Sequence, residues 1–321
     1  MDNSNVGTLS ALALDVKTGL STAPKRLSSR FFYDERGDKL FQEIMAMPEY
    51  YLTRCELQIF QQSAAAWIQS MPKEGFDLIE LGAGDGTKTQ VLLEEALAQK
   101  VNFIYRPIDI SQHALDELEA RLERELPDLP CAPLQGEYFA VLERIRGMQD
   151  RPKLILFLGS NIGNLSTGQA TDFLQRLRAC MNPQDKLLIG IDLKKDPRII
   201  LEAYNDPAGI TAAFNLNLLH RINRELDADF KVEQFKHWET YNPYSGATKS
   251  FLVSTSQQTV HVGALACSFE FQAWETIQVE LSQKYSLIEV EKLAQKAGFQ
   301  IQQHYLDDRK YFVDSLWSFS A

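Results

Sequence analysis

Cysteine is scarce in this 321-residue chain, and the four present (Cys55, Cys131, Cys180 and Cys267) never form a C-x-x-C pair. That dispersal excludes a zinc ribbon and offers no disulfide framework. The five histidines (His113, His220, His237, His261 and His304) also lack H-E-x-x-H or facial-triad spacing, so no metal is expected. No apolar run approaches the roughly 20 residues of a membrane span. The first residues lack the charged-then-apolar order of a secretory signal. A reduced, cytoplasmic protein away from membranes is the expectation. Basic clusters are missing as well. With 33 Lys and Arg against 43 Asp and Glu, the formal net charge is −10, which repels phosphate backbones and argues against a nucleic-acid partner.

What is present is an ordinary globular balance, 45% hydrophobic and 24% charged. From Phe76 to Asp192 short apolar runs alternate with helical patterns. The runs are Phe76–Leu81, Asn102–Asp109, Cys131–Leu134, Lys153–Gly159 and Lys186–Asp192. Helices are expected near Lys88–Ala98, Ser111–Glu125, Phe139–Arg146 and Ser166–Cys180. Such crossovers imply a parallel sheet covered on both faces, with ligands outside the carboxyl ends of its strands. From Pro197 to Gln283 the rhythm breaks into helical patterns (Arg198–Tyr204, Ala208–Glu225) and alternating runs (Lys231–Thr240, Thr248–Ser256, Thr259–Val262), an inserted α+β unit. The tail then supplies a helix, Leu287–Ala297 with Gly298 as C-cap, and two strands, Phe299–Tyr305 and Tyr311–Phe319.

The chemistry-bearing motifs follow strands. Glu80-Leu-Gly82-Ala-Gly84-Asp-Gly86-Thr87-Lys88 has G-x-G-x-G spacing, with Thr87 where the dinucleotide fingerprint needs its third glycine. With Glu80 ahead of the first glycine, the loop suits S-adenosylmethionine, whose amino-acid end needs acceptors for its ammonium. Asp109, ending the second strand, suits a ribose diol, or else caps the following helix. Gly136-Glu137-Tyr138 offers an acid and an aromatic face to an adenine, or is a surface loop. Phe157-Leu-Gly159-Ser160-Asn161-Ile-Gly163-Asn164 is a polar loop where amine methyltransferases orient the nucleophile. Two asparagines there exceed what helix capping requires. Amine methylation is an in-line displacement that needs alignment more than a strong base.

Longer runs carry a family resemblance. They are Phe32-Tyr33-Asp34, Leu40-Phe41, Pro48-Glu-Tyr50-Tyr51-x-Thr53-Arg54, Glu80-Leu-Gly-x-Gly, Phe157-Leu-Gly-Ser-x-Ile-Gly-Asn-Leu165, Ala203-Tyr204-Asn-Asp206 and Gly209-x-Thr211-Ala-Ala-Phe214-Asn215. Across nearly its whole length the chain resembles the histidine Nα-methyltransferases of ergothioneine biosynthesis, which form trimethylhistidine (hercynine). The resemblance implies an α/β fold, a class I, Rossmann-like, seven-stranded methyltransferase sheet with an inserted α+β substrate-binding domain. The expected boundaries are 12–196 plus 284–321 for the core, and 197–283, joined by 1–11, for the insert. It implies that Asn164 and Tyr204 hold the substrate's α-amino and carboxylate groups. Tyr50 and Glu280 hold the imidazole with help from Ser282, and Gly159, Asn161 and Ser250 line the acceptor site. Tyr33 stands near the reacting nitrogen and, with Phe41, Gly82, Gly84, Lys88, Asp109, Glu137 and Tyr138, at the cofactor. Lys88 would neutralise the cofactor's carboxylate.

Three positions depart from the family pattern: Glu137-Tyr138 for Asp-Phe, Asn161 for threonine, and Ser250 for methionine. The last two touch the acceptor site. Tryptophan, a modified histidine or incomplete methylation is therefore the alternative, and a non-catalytic adenosylmethionine-binding module is a more distant one. A monomer acting on a free amino acid, without metal, is expected.

Overall fold

Phe76–Leu81 is buried at every position, as a central parallel strand covered on both faces must be. The computed structural model, which describes residues 9–84, 86–146 and 151–319, builds a seven-stranded sheet around it. We label the strands β1 (Phe76–Leu81), β2 (Phe103–Asp109), β3 (Leu134–Gln135), β4 (Lys153–Phe157), β5 (Lys186–Asp192), β6 (Gln300–Leu306) and β7 (Phe312–Ser318). Their order is β6-β7-β5-β4-β1-β2-β3. Strands β1 to β5 run parallel, and β7 lies antiparallel between β5 and β6. Strand order reverses between β1 and β4, so the loops leaving those two strands flank the switch point.

Several strands are shorter than the sequence implies, the third and fourth for visible reasons. The third, expected at Cys131–Leu134, pairs over Leu134–Gln135, with an isolated bridge from Cys131 to Tyr105. Pro133 has no N–H to give a ladder, which breaks the run in two. The fourth ends at Phe157 rather than Gly159, because Gly159 and Ser160 turn into the left-handed region (φ 68° and 57°).

The chain divides into two compact units. One comprises Leu52–Lys194 with the described residues from Gln283, and holds this sheet; the other comprises the described residues up to Tyr51 with Lys195–Ser282. The sequence places 12–51 with the sheet, whereas the structure places that stretch in the second unit. Helices Ala11–Leu20 and Glu35–Ala46 bury Leu12, Val16, Leu20 and Ile44 in one apolar cluster with Phe214, Leu218 and Ile222 of helix Ile210–Leu226. Residues 1–8 of the expected 1–11 segment lie outside the described residues. The second unit's four-stranded sheet runs Lys25–Arg26, Thr276–Gln283, Ala247–Ser254, Phe235–Asn242. Helices Pro197–Tyr204 and Ile210–Leu226 pack against it.

Local signals set the helix ends. Ser166 and Ser286 each form a reciprocal capping box, with Gln169 and Glu289, and Gly298 closes helix Leu287–Ala297 at φ 82°. Among the described residues no helix is long and apolar enough to cross a membrane, and no group of three or more His, Cys, Asp or Glu stands where it could hold a metal.

Within the first unit, Lys284 and Asp192 form an ion pair at 2.8 Å with neither side chain exposed. The Tyr285 N–H donates to the Asp192 carbonyl at 3.0 Å. Deleting one partner strands the other charge out of water. Lys284→Ala is expected to lower unfolding free energy by roughly 3–5 kcal/mol, read from urea midpoints. A loss no larger than that of an exposed lysine would show that the pair does not hold Lys284 against the end of β5.

Candidate active site

The loop after β1 is shaped by backbone and by what crowds it. Gly82 lies at φ 74°, and a Cβ there would sit 2.5 Å from Tyr138 Oη. At Gly84 a Cβ would meet nothing within 4 Å, which leaves open space for a ligand. Glu80 is not free to receive the cofactor's ammonium in the way the sequence suggested. It is 4% exposed and accepts the Thr89 hydroxyl at 2.7 Å and the Tyr105 hydroxyl at 2.5 Å. Burial pushes its carboxyl up to about 7, against those two hydroxyl bonds. Glu80 braces the loop from beneath.

At the end of β2, Asp109 Oδ1 accepts the Ser111 N–H at 2.9 Å, while Ser111 caps helix Gln112–Glu125. Gly136 donates to the Asp109 carbonyl at 2.9 Å, joining the β2 and β3 ends. Glu137 is exposed and Tyr138 half-buried. Burial first, then the charges of Asp109, Glu137 and Glu80, push the Tyr138 phenol up to about 12, so these four side chains share one electrostatic neighbourhood. After β4, Asn161–Asn164 forms a short 3-10 turn. Ser166 takes the capping role there, and Asn164 stands exposed and outside it.

Lys88 is held by a residue that sequence reasoning missed. Its ammonium pairs with Glu56, which is 1% exposed on helix Tyr51–Gln69. The other Glu56 oxygen accepts the Gly159 N–H at 2.7 Å. Burial opposes the Lys88 charge, but Glu56 overcomes it and leaves the ammonium's pKa raised. Asp314 on β7 is also wholly buried. Burial, then Glu56, push its carboxyl well above the ordinary range. A Cβ on Gly190 would run into Glu56 and lie 3.1 Å from Asp314 Oδ1, so β5 carries no side chain at that point. The only sequence signal for Glu56 is an acid on the buried face of a helix.

The second unit holds Tyr33, Phe41, Tyr50, Tyr204, Ser250, Glu280 and Ser282 of the expected site residues, while Gly159, Asn161 and Asn164 lie in the first. The Tyr33 ring meets Phe41 at 5.5 Å and Phe214 at 5.7 Å; Phe41 meets Tyr50 at 6.4 Å, and Tyr50 meets Tyr204 at 6.3 Å. Tyr204 Oη and Ser282 Oγ share a hydrogen bond at 2.9 Å, and the Ser250 hydroxyl donates to Glu280 Oε2 at 2.8 Å. Desolvation, then the carboxylates of Glu280 and Asp38, push the Tyr33 phenol up, so its proton stays on at neutral pH. Tyr33 and Phe41, counted with the cofactor residues from sequence, belong to this aromatic row. Two acids of the matched runs have capping roles instead. Asp34 accepts from Gly37 N and Asn217, and Asp206 from Ile210 N and Thr211 N.

The sequence pattern of the family described as "Histidine-specific methyltransferase, SAM-dependent" matches residues 12–319. The chain belongs to this family. It is 37% identical over 276 residues to the histidine N-alpha-methyltransferase of Mycobacterium tuberculosis, covering 86% of this chain and 84% of that one. It is 32% identical over 308 residues to ergothioneine biosynthesis protein 1 of Neurospora crassa, covering 90% of this chain and 33% of that longer protein. A solved S-adenosylmethionine-dependent methyltransferase from Clostridium acetobutylicum aligns with 83% of this chain and 92% of its own, at a TM-score of 0.43 and 11% identity.

The residues on the first unit fit the family's cofactor, S-adenosylmethionine. Bare backbone at Gly82 and Gly84, the Lys88 ammonium, the Asp109 carboxylate and the Glu137–Tyr138 pair match an amino-acid end, a ribose and a purine in turn. When bound, the group supplies an electrophilic methyl on sulfur.

Gly82→Ala is expected to weaken S-adenosylmethionine binding at least tenfold, measured by calorimetry, through the Tyr138 clash and the positive φ. Adding Tyr138→Phe should restore the steric part only. Full restoration would show that φ is unimportant, and no loss in the single variant would remove Gly82 from the site. Glu56→Ala should cost roughly 3 kcal/mol of stability and weaken cofactor binding together, since Lys88 and the Gly159 N–H both lose their acceptor. An unchanged melting temperature would contradict this.

Proposed function

We propose that this chain transfers methyl groups from S-adenosylmethionine to the α-amino nitrogen of L-histidine, three in succession, yielding hercynine in ergothioneine biosynthesis. The observation that carries the substrate choice is Glu280, a carboxylate oriented by the Ser250 hydroxyl, two residues along the strand from Ser282, which is bonded to Tyr204. A carboxylate opposite a ring N–H is a charge-assisted acceptor. A pocket built to pair such donors rejects side chains that leave its groups unpaired. Ser250, where the family pattern has methionine, makes this corner more polar and favours imidazole over indole.

Each side chain then has a role in the transfer. Tyr50, Glu280 and Ser282 hold the imidazole, with Gly159, Asn161 and Ser250 lining the acceptor site. Asn164 and Tyr204 hold the α-amino and carboxylate groups. Gly82, Gly84, Lys88, Asp109, Glu137 and Tyr138 hold the cofactor, with Phe41 beside them. Tyr33, its proton retained, orients the amine through its oxygen lone pair and does not act as a base. Alignment of a neutral nitrogen with the methyl supplies the rate, so no covalent enzyme intermediate is needed. The reading includes a cytoplasmic monomer that works on a free amino acid.

Incubation with S-adenosylmethionine and a panel of free amino acids, read by mass spectrometry, should show three added methyl groups on histidine alone. Glu280→Ala should lower kcat/KM for histidine by about 100-fold. Methylation of tryptophan in preference to histidine, or undiminished histidine turnover in Glu280→Ala, would overturn the reading.

A further inference from the structure

The polar row that includes Glu280 extends past Ser250. On the neighbouring strand Phe235–Asn242, Glu239 pairs directly with Ser250, and paired residues of an antiparallel ladder share a face. Glu239 is 8% exposed. Two positions back on the same face, His237 Nε2 lies 3.7 Å from Glu239 Oε2, with that histidine's side chain only 2% exposed. Burial holds the His237 imidazole down to about 4, partly offset by Asp206, so it is neutral at physiological pH and cancels no negative charge. Helix Pro197–Tyr204, which ends in Tyr204, packs against both strands.

Two further atoms in this sheet are unusual. His237 Nε2 and, on the strand of Ser250, Thr248 Oγ1 are buried without a hydrogen-bond partner. Burying such an atom costs stability unless something satisfies it. Ser250 stands between two acids and has a single proton, which it gives to Glu280. The row therefore holds two acids and carries buried polar atoms that a hydrogen-bonding ligand would satisfy.

We propose that Glu239 is a specificity-determining residue of the acceptor pocket, pairing with Glu280 across Ser250 to select an amino acid whose ring carries positive charge as well as N–H donors. The inference rests on the acceptor reading above and deepens it. Glu280 alone recognises an N–H, whereas two carboxylates on one row also discriminate by charge, favouring a basic diazole over a weakly basic ring of the same shape.

The test compares L-histidine with triazolylalanine, which keeps the ring shape and an N–H but is far less basic. Binding of each to the full chain with S-adenosylhomocysteine present is measured by calorimetry. The wild-type protein should bind histidine at least about tenfold more tightly. Glu239→Gln should collapse that ratio towards one by weakening histidine about tenfold while leaving triazolylalanine within about twofold. Equal weakening of both ligands would reduce Glu239 to a structural part, and an unchanged ratio would remove it from the pocket. Either result overturns the proposal. So does a wild-type protein that binds both ligands alike, a comparison that needs no variant to fold. A wild-type protein that neither binds nor methylates histidine would bring down the proposed function itself. One that methylates histidine without the charge preference would bring down this inference alone.

Discussion

Glu56 has to be paired wherever it goes, because a carboxylate with 1% exposure cannot keep its charge alone. Its two oxygens take the Lys88 ammonium and the Gly159 N–H. Three separate pieces of chain are thereby tied together: the helix before β1, the helix after the glycine loop, and the turn after β4. Those last two flank the switch point of the sheet. The same constraint reaches into the sheet, where Gly190 must lack a side chain to make room, and where burial, then Glu56, push the Asp314 carboxyl well above its ordinary range. Much of the packing around the ends of β1 and β4 follows from accommodating one buried acid.

The second unit handles buried polarity differently. Its apolar cluster, built on Leu12, Phe214, Leu218 and their neighbours, provides cohesion. The adjoining polar row, His237, Glu239, Ser250 and Glu280, adds little to it, since buried polar groups are poor stabilisers compared with packed apolar ones. Such a row is suited to discrimination between ligands. An aromatic row, Tyr33 through Phe41 and Tyr50 to Tyr204, adds rigid contact surface. Methyl transfer to an amine needs alignment more than a strongly basic side chain.

Much of this was legible in the residues alone, because it depends on neighbours in sequence. Continuous apolar runs such as Phe76–Leu81 report burial on both faces, and glycine spacing reports a turn that must approach a ligand. Ser286 with Glu289, and Gly298, mark a helix by local hydrogen bonding. The long matched runs identified the family. The third strand was misjudged by what Pro133 withholds from a ladder, a local effect that apolar content hides.

What only the tertiary structure decided involves contacts between distant residues. Periodicity says that helices Ala11–Leu20 and Glu35–Ala46 bury a face, but not that the face belongs with Phe214 and Leu218. Glu80 reads as a ligand acceptor until the Tyr105 and Thr89 hydroxyls are seen to occupy it. Glu56 meets Gly159 across 103 positions, and Glu239 acquires meaning only from its register opposite Ser250. Sequence pattern determined which elements form and which face of each is buried, since those depend on spacing along the chain. Folding decided which buried charges meet, since that depends on packing between segments that spacing does not encode.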